Sequence, residues 1–302
     1  GMISQVEGLS KALNINFSHH TVKLKPFWNL IPPKFTPISE NLLTEKLICN
    51  SKIIISCGRK SVIHSIALKK RFKKDIFNIH IQDPKVSLKN FDLIVCPEHD
   101  NLRGDNVITT VGAIHYLTKK EIDKNTKYIK IDKENKKIVS FILGGPNKYY
   151  DYSEKQINII FNKVKNLFTP DKYKLIIIPS YRTPEKIIKK AYNTFSHNNL
   201  VLKNIDKNAY LSSLSISDII VVTCDSTSMI SESAFTGKPI YVANMPPIRN
   251  NNRFKNFYTQ FKKLDIIRDL EDNINLWSYD QLDEANRIAP IIKERMRSNG
   301  II

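Results

Sequence analysis

Short runs of β-branched residues recur along this chain, each followed by a stretch of roughly 10 to 16 residues with apolar side chains at helical spacing. Parallel strands joined by helices satisfy that alternation, because a parallel pair needs a long crossover and a helix supplies it. In the first half, strands are expected at 52–56, 77–82, 91–96 and 106–111. The first is followed by a helix with Val62, Ile63, Ile66, Ala67 and Phe72 on one side. In the second half, strands are expected at 138–143, 174–178, 218–222 and 239–242, with helices at 153–167, 184–195, 206–213 and 226–235. A last helix is expected at 279–296, after a loop holding Trp277.

Residues 116–137 are polar and lysine-rich without apolar periodicity over most of their length, which reads as a crossing between domains. The expected fold class is therefore α/β, two Rossmann-like domains facing across a cleft. Their expected extents are 1–135 and 136–278, with 279–302 a helix packing back on the first domain. Ligands in open parallel sheets lie beyond the carboxyl ends of the strands, so the strand-end loops are where chemistry is sought.

Composition removes several classes. A hydrophobic share of 41% over 302 residues supplies real cores. No apolar run reaches the roughly 18 residues of a membrane-spanning helix, and no basic segment followed by an apolar stretch opens the chain. The expected location is cytoplasmic, peripheral at the inner membrane face. Cys49, Cys57, Cys96 and Cys224 form no CxxC pair and have no His at ligand spacing, so no metal site is expected. The net charge of +18 comes from lysines spread along the whole chain. Local clusters at 69–74 and 186–190 are either solvated helix faces or an attraction to an anionic membrane or acidic substrate. Specific nucleic-acid binding is not expected.

Six strand-end segments carry candidate chemistry. After the strand at 218–222 come Thr223, Cys224 and Asp225, then a helix opening with Ser226, Thr227, Ser228 and Met229. Free amides and the helix dipole at such a start favour a phosphate, and Glu232, one turn beyond Ser228, is placed to accept from a ribose diol. The alternative is that Asp225 or Ser226 caps the helix and Glu232 is merely solvated. Gly144 and Gly145 permit close approach of a ligand to backbone, or only a tight turn. Ser180, Arg182 and Thr183 end the next strand, where Arg182 offers a planar fork for phosphate oxygens or is simply exposed. In the first half, Gly58 and Arg59, Gln82 and Asp83, and His99 and Asp100 end three successive strands. His99 beside Asp100 is a candidate general base, against the alternative of a surface loop.

One ordered series runs through these segments: Gly58-Arg59, Gln82-Asp83-Pro84, Phe91-Asp92-Leu93, Pro97, His99-Asp100, Asn106-Val107, Gly112-Ala113, Gly144-Gly145-Pro146, Ser180, Arg182-Thr183-Pro184, Asp225-Ser226, Ser228-Met229, Glu232 and Gly237-Lys238-Pro239. It resembles the mitochondrial-fission family named for the plant elongated-mitochondria protein, over most of residues 1–250. That family is similar in turn to GT-B glycosyltransferases and sugar-nucleotide 2-epimerases. Its pattern begins with a strand and a glycine loop ahead of Gln5, Gly8 and Leu9. This chain starts at Gly1-Met2, so the first sheet is expected to lack that strand, and Gly1 is read as a purification remnant.

The resemblance implies a nucleoside-diphosphate-sugar site, largely in the second domain, with the first on the acceptor side. Ser226, Thr227 and Ser228 would hold the diphosphate, Arg182 with the Gly144 and Gly145 amides would balance its charge, and Glu232 would bind ribose. His99 or Asp100 would be the acceptor-side base. No cofactor is required, since the nucleotide sugar is substrate or ligand and a GT-B enzyme needs no metal. The leading expectation is a nucleotide-sugar-dependent glycosyltransferase near the cell envelope, with an anionic membrane or lipid-linked acceptor as partner. A non-catalytic membrane scaffold and a sugar-nucleotide epimerase are the alternatives.

Overall fold

The computed structural model describes residues 1–45, 49–250 and 252–302. It forms two compact units, Gly1–Tyr116 with Asp283–Ile302, and Leu117–Leu282. In the first, β1 (Ile53–Cys57), β2 (Phe77–Ile81), β3 (Leu93–Pro97) and β4 (Val107–Thr110) lie parallel in the order β1-β2-β3-β4 among the described residues. Helices α1 (Met2–Ala12), α2 (Pro26–Leu30) and α3 (Val62–Phe72) belong to the same unit, with a C-terminal helix Glu284–Ser298. Period-two alternation sends Phe77, Ile79, Ile81, Leu93 and Val95 into a core with Leu9 and Leu13 and with Ile288, Ile292 and Met296 of the C-terminal helix. The opposite face places Ile94 and Cys96 against Val62, Ile63 and Ile66 of α3. Glu284 pins the C-terminal helix by accepting from the Val111 amide at 2.6 Å, its charge balanced by Arg287 at 2.6 Å.

The second unit contains α4 (Lys119–Asn125), β5 (Lys137–Leu143), α5 (Glu154–Leu167), β6 (Tyr173–Pro179), α6 (Glu185–Phe195), β7 (Leu200–Val201), α7 (Lys207–Ile216), β8 (Ile219–Thr223), α8 (Thr227–Ala234), β9 (Ile240–Ala243), α9 (Asn252–Lys263) and β10 (Ile267–Asp269). Among the described residues its six strands are parallel in the order β10-β9-β8-β5-β6-β7. The central strands are buried on both faces, which is why they read as continuous apolar runs rather than alternating ones. This is the doubly wound order: the chain builds outward one way from β5, then returns to build the other way from β8. In sheets of this order ligands lie beyond the carboxyl ends of the strands at the reversal, here β5 and β8.

Two sequence expectations need correction. The boundary at 135/136 moves to 116/117, because the polar segment is not a bare linker. It contains α4, capped by Thr118, whose hydroxyl accepts from the Glu121 amide at 3.2 Å while Glu121 answers with its carboxylate at 3.1 Å. The Ile129 amide then donates to Ser212 Oγ of α7 at 3.0 Å, fixing the segment to the second unit. The last segment rejoins the first unit at Asp283, and its helix starts at Glu284 rather than 279.

Histidines buried in the first unit tie its stability to pH. His80 on β2 lies against Phe91 and bonds Ser56 Oγ through Nδ1 at 2.8 Å, and burial pushes its pKa down to about 4. Burial likewise lowers His115 to about 4. The unfolded chain protonates such a group near pH 6.5 while the fold holds it neutral. Stability is therefore complete above pH 6.5 and is lost as pH falls from 6.5 to about 4, by at most about 3 kcal/mol for each histidine. Urea midpoints measured across that range should fall for the native chain. They should fall less for His80→Leu, in which Ser56 keeps its bond to the Ile79 carbonyl; equal slopes would rule out His80 as a contributor.

Candidate functional site at the reversal of the second sheet

The loops that leave β5 and β8 meet around one carboxylate. Asp225 has a side chain with no exposed surface, and four groups surround it. The Gly145 amide donates to Oδ2 at 3.0 Å and the Arg182 guanidinium to the same oxygen at 2.7 Å. Thr223 donates to Oδ1 at 2.7 Å, and the Tyr152 hydroxyl lies 2.7 Å from Oδ1 and 2.6 Å from Thr223 Oγ1. Thr223 Oγ1 also accepts from the Gly144 amide at 2.8 Å. Burying an ionised carboxylate is costly unless it is paired and fully hydrogen-bonded, and here both conditions hold. Burial, and after it the Asp225 charge, raise the Tyr152 phenol well above its ordinary pKa, so Tyr152 stays a donor.

This arrangement accounts for both glycines. A Cβ on Gly144 would stand 2.1 Å from Asp225 Oδ2, and one on Gly145 only 1.9 Å from the Arg182 carbonyl oxygen. They are required by loop-on-loop packing, and their amides are taken up by Thr223 and Asp225 instead of pointing at a ligand. Ser180 and Thr183 serve the same packing. The Ser180 amide donates to Thr183 Oγ1 at 2.8 Å, and that hydroxyl lies 2.6 Å from the Gly144 carbonyl. Arg182 is likewise corrected from a free phosphate fork: it bonds the Gly145 carbonyl at 2.9 Å and Asp225, with 41% of its side chain still exposed.

Helix α8 starts at this point. Ser226 is its cap, accepting from the Met229 amide at 3.3 Å. The first amides of a helix lack intrahelical partners, and with Met229 satisfied, those of Thr227 and Ser228 remain as the positive end of the helix. Glu232, on the next turn and half-buried, accepts from the Tyr210 hydroxyl of α7 at 2.9 Å through one oxygen. Burial raises its pKa, and the Tyr210 bond works against that rise. Lys238, in the turn after α8, donates to the terminal carbonyls of α7 at Leu214 and Ser215 and is lowered to about 8 by burial. Burial pushes the Cys224 thiol up to about 12, away from the reactive thiolate form.

The first-unit candidates occupy the carboxyl ends of β1, β2 and β3. Gly58, at φ +80°, bonds the end of β2, and Gln82, at φ +82°, bonds the end of β3. Arg59 donates to the Leu30 carbonyl, and Asp83 is held by Lys85 at 2.5 Å. His99 and Asp100 form no hydrogen-bonded dyad: their closest N···O approach is 4.0 Å, and the His99 side chain is 1% exposed. That burial corrects His99 as a base meeting an acceptor. Asp100, 11% exposed, bonds Cys96 Sγ at 3.6 Å. Among the described residues no cluster of His, Cys, Asp or Glu is arranged to hold a metal.

The sequence reading missed Tyr152 and Tyr210. Tyr152 adopts φ +57°, a strained value for an aromatic residue that its contact with Asp225 explains. The tie at Asp225 should therefore govern stability. Asp225→Ala should destabilise the chain near the lower end of the ~3–5 kcal/mol typical of breaking a buried pair, because Arg182 can turn to water. Gly145→Ala should cost about 1–3 kcal/mol from overpacking, and chemical unfolding of both variants checks the two figures.

The sequence model described as "Mitochondrial fission ELM1" matches residues 1–296. The protein RP120 of Rickettsia prowazekii (strain Madrid E) is 27% identical over 288 residues, spanning 82% of this chain and 80% of that protein. The mitochondrial fission protein ELM1 of Arabidopsis thaliana is 24% identical over 278 residues, spanning 82% of this chain and 64% of that protein. Among solved structures, a Listeria monocytogenes protein assigned as a UDP-N-acetylglucosamine 2-epimerase superposes with a TM-score of 0.50 at 13% identity, over 82% of this chain and 76% of that one. S. aureus MnaA, determined with UDP, gives a TM-score of 0.47 at 15% identity, over 83% and 75%. The likeness to the Listeria protein is one of fold, two parallel α/β sheets in a GT-B-like arrangement. With the whole-length match of its sequence, the chain belongs to the mitochondrial fission ELM1 family.

Proposed function

We propose that this protein binds a nucleoside-diphosphate sugar at the carboxyl edge of its second sheet and transfers the sugar to an acceptor held at an anionic membrane. The observation that carries the reading is the reversal of strand order between β5 and β8, with α8 opening there on the amides of Thr227 and Ser228. Those amides meet the diphosphate. The exposed part of Arg182 adds hydrogen bonds, its charge being largely spent on Asp225. Glu232, oriented by Tyr210, keeps one carboxylate oxygen for the ribose diol. The departing diphosphate is stabilised by fixed dipoles that need no reorganisation during transfer.

A second reading, nucleotide binding without catalysis, draws on the burial of His99. Were this the case, the family scaffold would hold the nucleotide as a ligand and no sugar would leave it. An epimerase differs from both, since it converts a sugar nucleotide without any acceptor.

Thermal shifts with UDP, GDP, CDP, ADP and their sugar conjugates test the site directly, since a ligand at 100 times its Kd adds about 2.7 kcal/mol. One base should stand out. Glu232→Ala should weaken that nucleotide by about 1–3 kcal/mol. Thr227→Pro, which deletes an amide at the first helical position, where proline is tolerated and Ser226 before it is already extended, should weaken diphosphate and leave nucleoside binding alone. Full affinity in both folded variants would remove this site. Release of nucleoside diphosphate from the preferred conjugate only with an acceptor present identifies transfer, conversion by protein alone identifies epimerisation, and neither identifies the non-catalytic reading.

A further inference from the structure

Residues 8–39 contain no Asp or Glu, yet they include Lys11, Lys23, Lys25 and Lys34. In the middle of that stretch Phe27 is 65% exposed, Leu30 79% and Phe35 69%. Single apolar side chains on a surface need no explanation, but three of this size along one short strap do.

The backbone beneath them is tied down. Leu24 and Leu43, both buried, form an antiparallel bridge, with the Lys25 amide donating to the Leu42 carbonyl at 2.8 Å and the Thr44 amide to the Lys23 carbonyl at 3.0 Å. Arg59 donates to the Leu30 carbonyl at 2.9 Å, and the Thr36 hydroxyl to the Pro32 carbonyl at 3.0 Å. Pro33 and Thr36 are buried anchors. Phe27 and Leu30 on the short helix α2, and Phe35 just beyond it, are thus held in water by a fixed segment, not by a fraying terminus. Lys23, Lys25 and Lys34 are exposed around them and pair with no carboxylate among the described residues.

We propose that this strap is a membrane-docking surface. Phe27, Leu30 and Phe35 enter the headgroup boundary of a bilayer, and Lys23, Lys25 and Lys34, with exposed Arg59 and Lys60 beside them, bind anionic headgroups. Charge complementarity selects this occupant. The strap is uniformly basic, so a second copy docked by a two-fold axis would set lysine against lysine. No helix among the described residues is long and apolar enough to cross a membrane, and a docked loop needs none. The inference deepens the membrane part of the proposed function and is independent of its nucleotide part.

Cosedimentation of the full chain with extruded phosphatidylcholine vesicles, with and without phosphatidylserine, tests it. The native chain should bind the anionic vesicles and release from them as salt rises. Phe27→Ser, Leu30→Ser and Phe35→Ser combined should weaken binding at least about ten-fold, and Lys23→Gln, Lys25→Gln and Lys34→Gln combined should weaken it and flatten its salt dependence. All six positions are exposed, and an unchanged melting temperature verifies that the variants fold. No binding to anionic vesicles, or equal binding by the apolar variant, would overturn the proposal. A native dimer that the apolar variant converts to monomer, without vesicle binding, would overturn it in favour of a second copy. Nucleotide thermal shifts run on the same proteins read the other site separately, so either result can fail while the other stands.

Discussion

The buried charge of Asp225 organises the carboxyl edge of the second sheet. A carboxylate with no exposed surface must be compensated on both oxygens, and its partners come from three separate strand-end loops. That requirement reaches far along the chain. It demands glycine at 144 and 145, because any Cβ there would occupy the space of Asp225 or the Arg182 backbone. It holds Tyr152 at a positive φ so that its hydroxyl reaches the same oxygen as Thr223. It also fixes Asn147, whose amide donates to the Asp225 carbonyl at 3.1 Å while its oxygen accepts from the Tyr149 and Tyr150 amides.

On the nucleotide reading proposed above, the tie changes how an anion would be met there. Arg182 and Asp225 neutralise each other, so the cation that ends β6 carries little net charge to offer a phosphate. The unspent positive potential is that of the helix start, where partial charges on Thr227 and Ser228 amides are fixed by the fold. Recognition built from backbone dipoles is directional and insensitive to side-chain motion. It also leaves the two glycine amides, otherwise the obvious donors, out of the site.

The order of strands and helices was legible because buried parallel strands leave unmistakable apolar runs, as at β5, β6 and β8. What escaped was short or locally encoded. β7 has two residues and carries no period, and α9 shows its face only through Phe254, Phe257 and Phe261. The capping pair Thr118 and Glu121 was a readable sign of α4, hidden among lysines. At the site, Ser226 as a cap was readable from residue type alone, as was the position of α8. The partners of Asp225 were not, since Gly145, Tyr152 and Arg182 converge only once strand order is known. A glycine pair after a strand looks the same whether it makes room for a phosphate or for a neighbouring loop.

Strand order also distinguishes the two units. In the first unit β1-β2-β3-β4 follows sequence order without a reversal among the described residues, so its strand ends run side by side. Its loops are consumed locally: Asp83 by Lys85, Arg59 by the Leu30 carbonyl, Asp100 by Cys96. His99 is withdrawn into the interior, its side chain 1% exposed, while Asp100 at the same strand end keeps 11%.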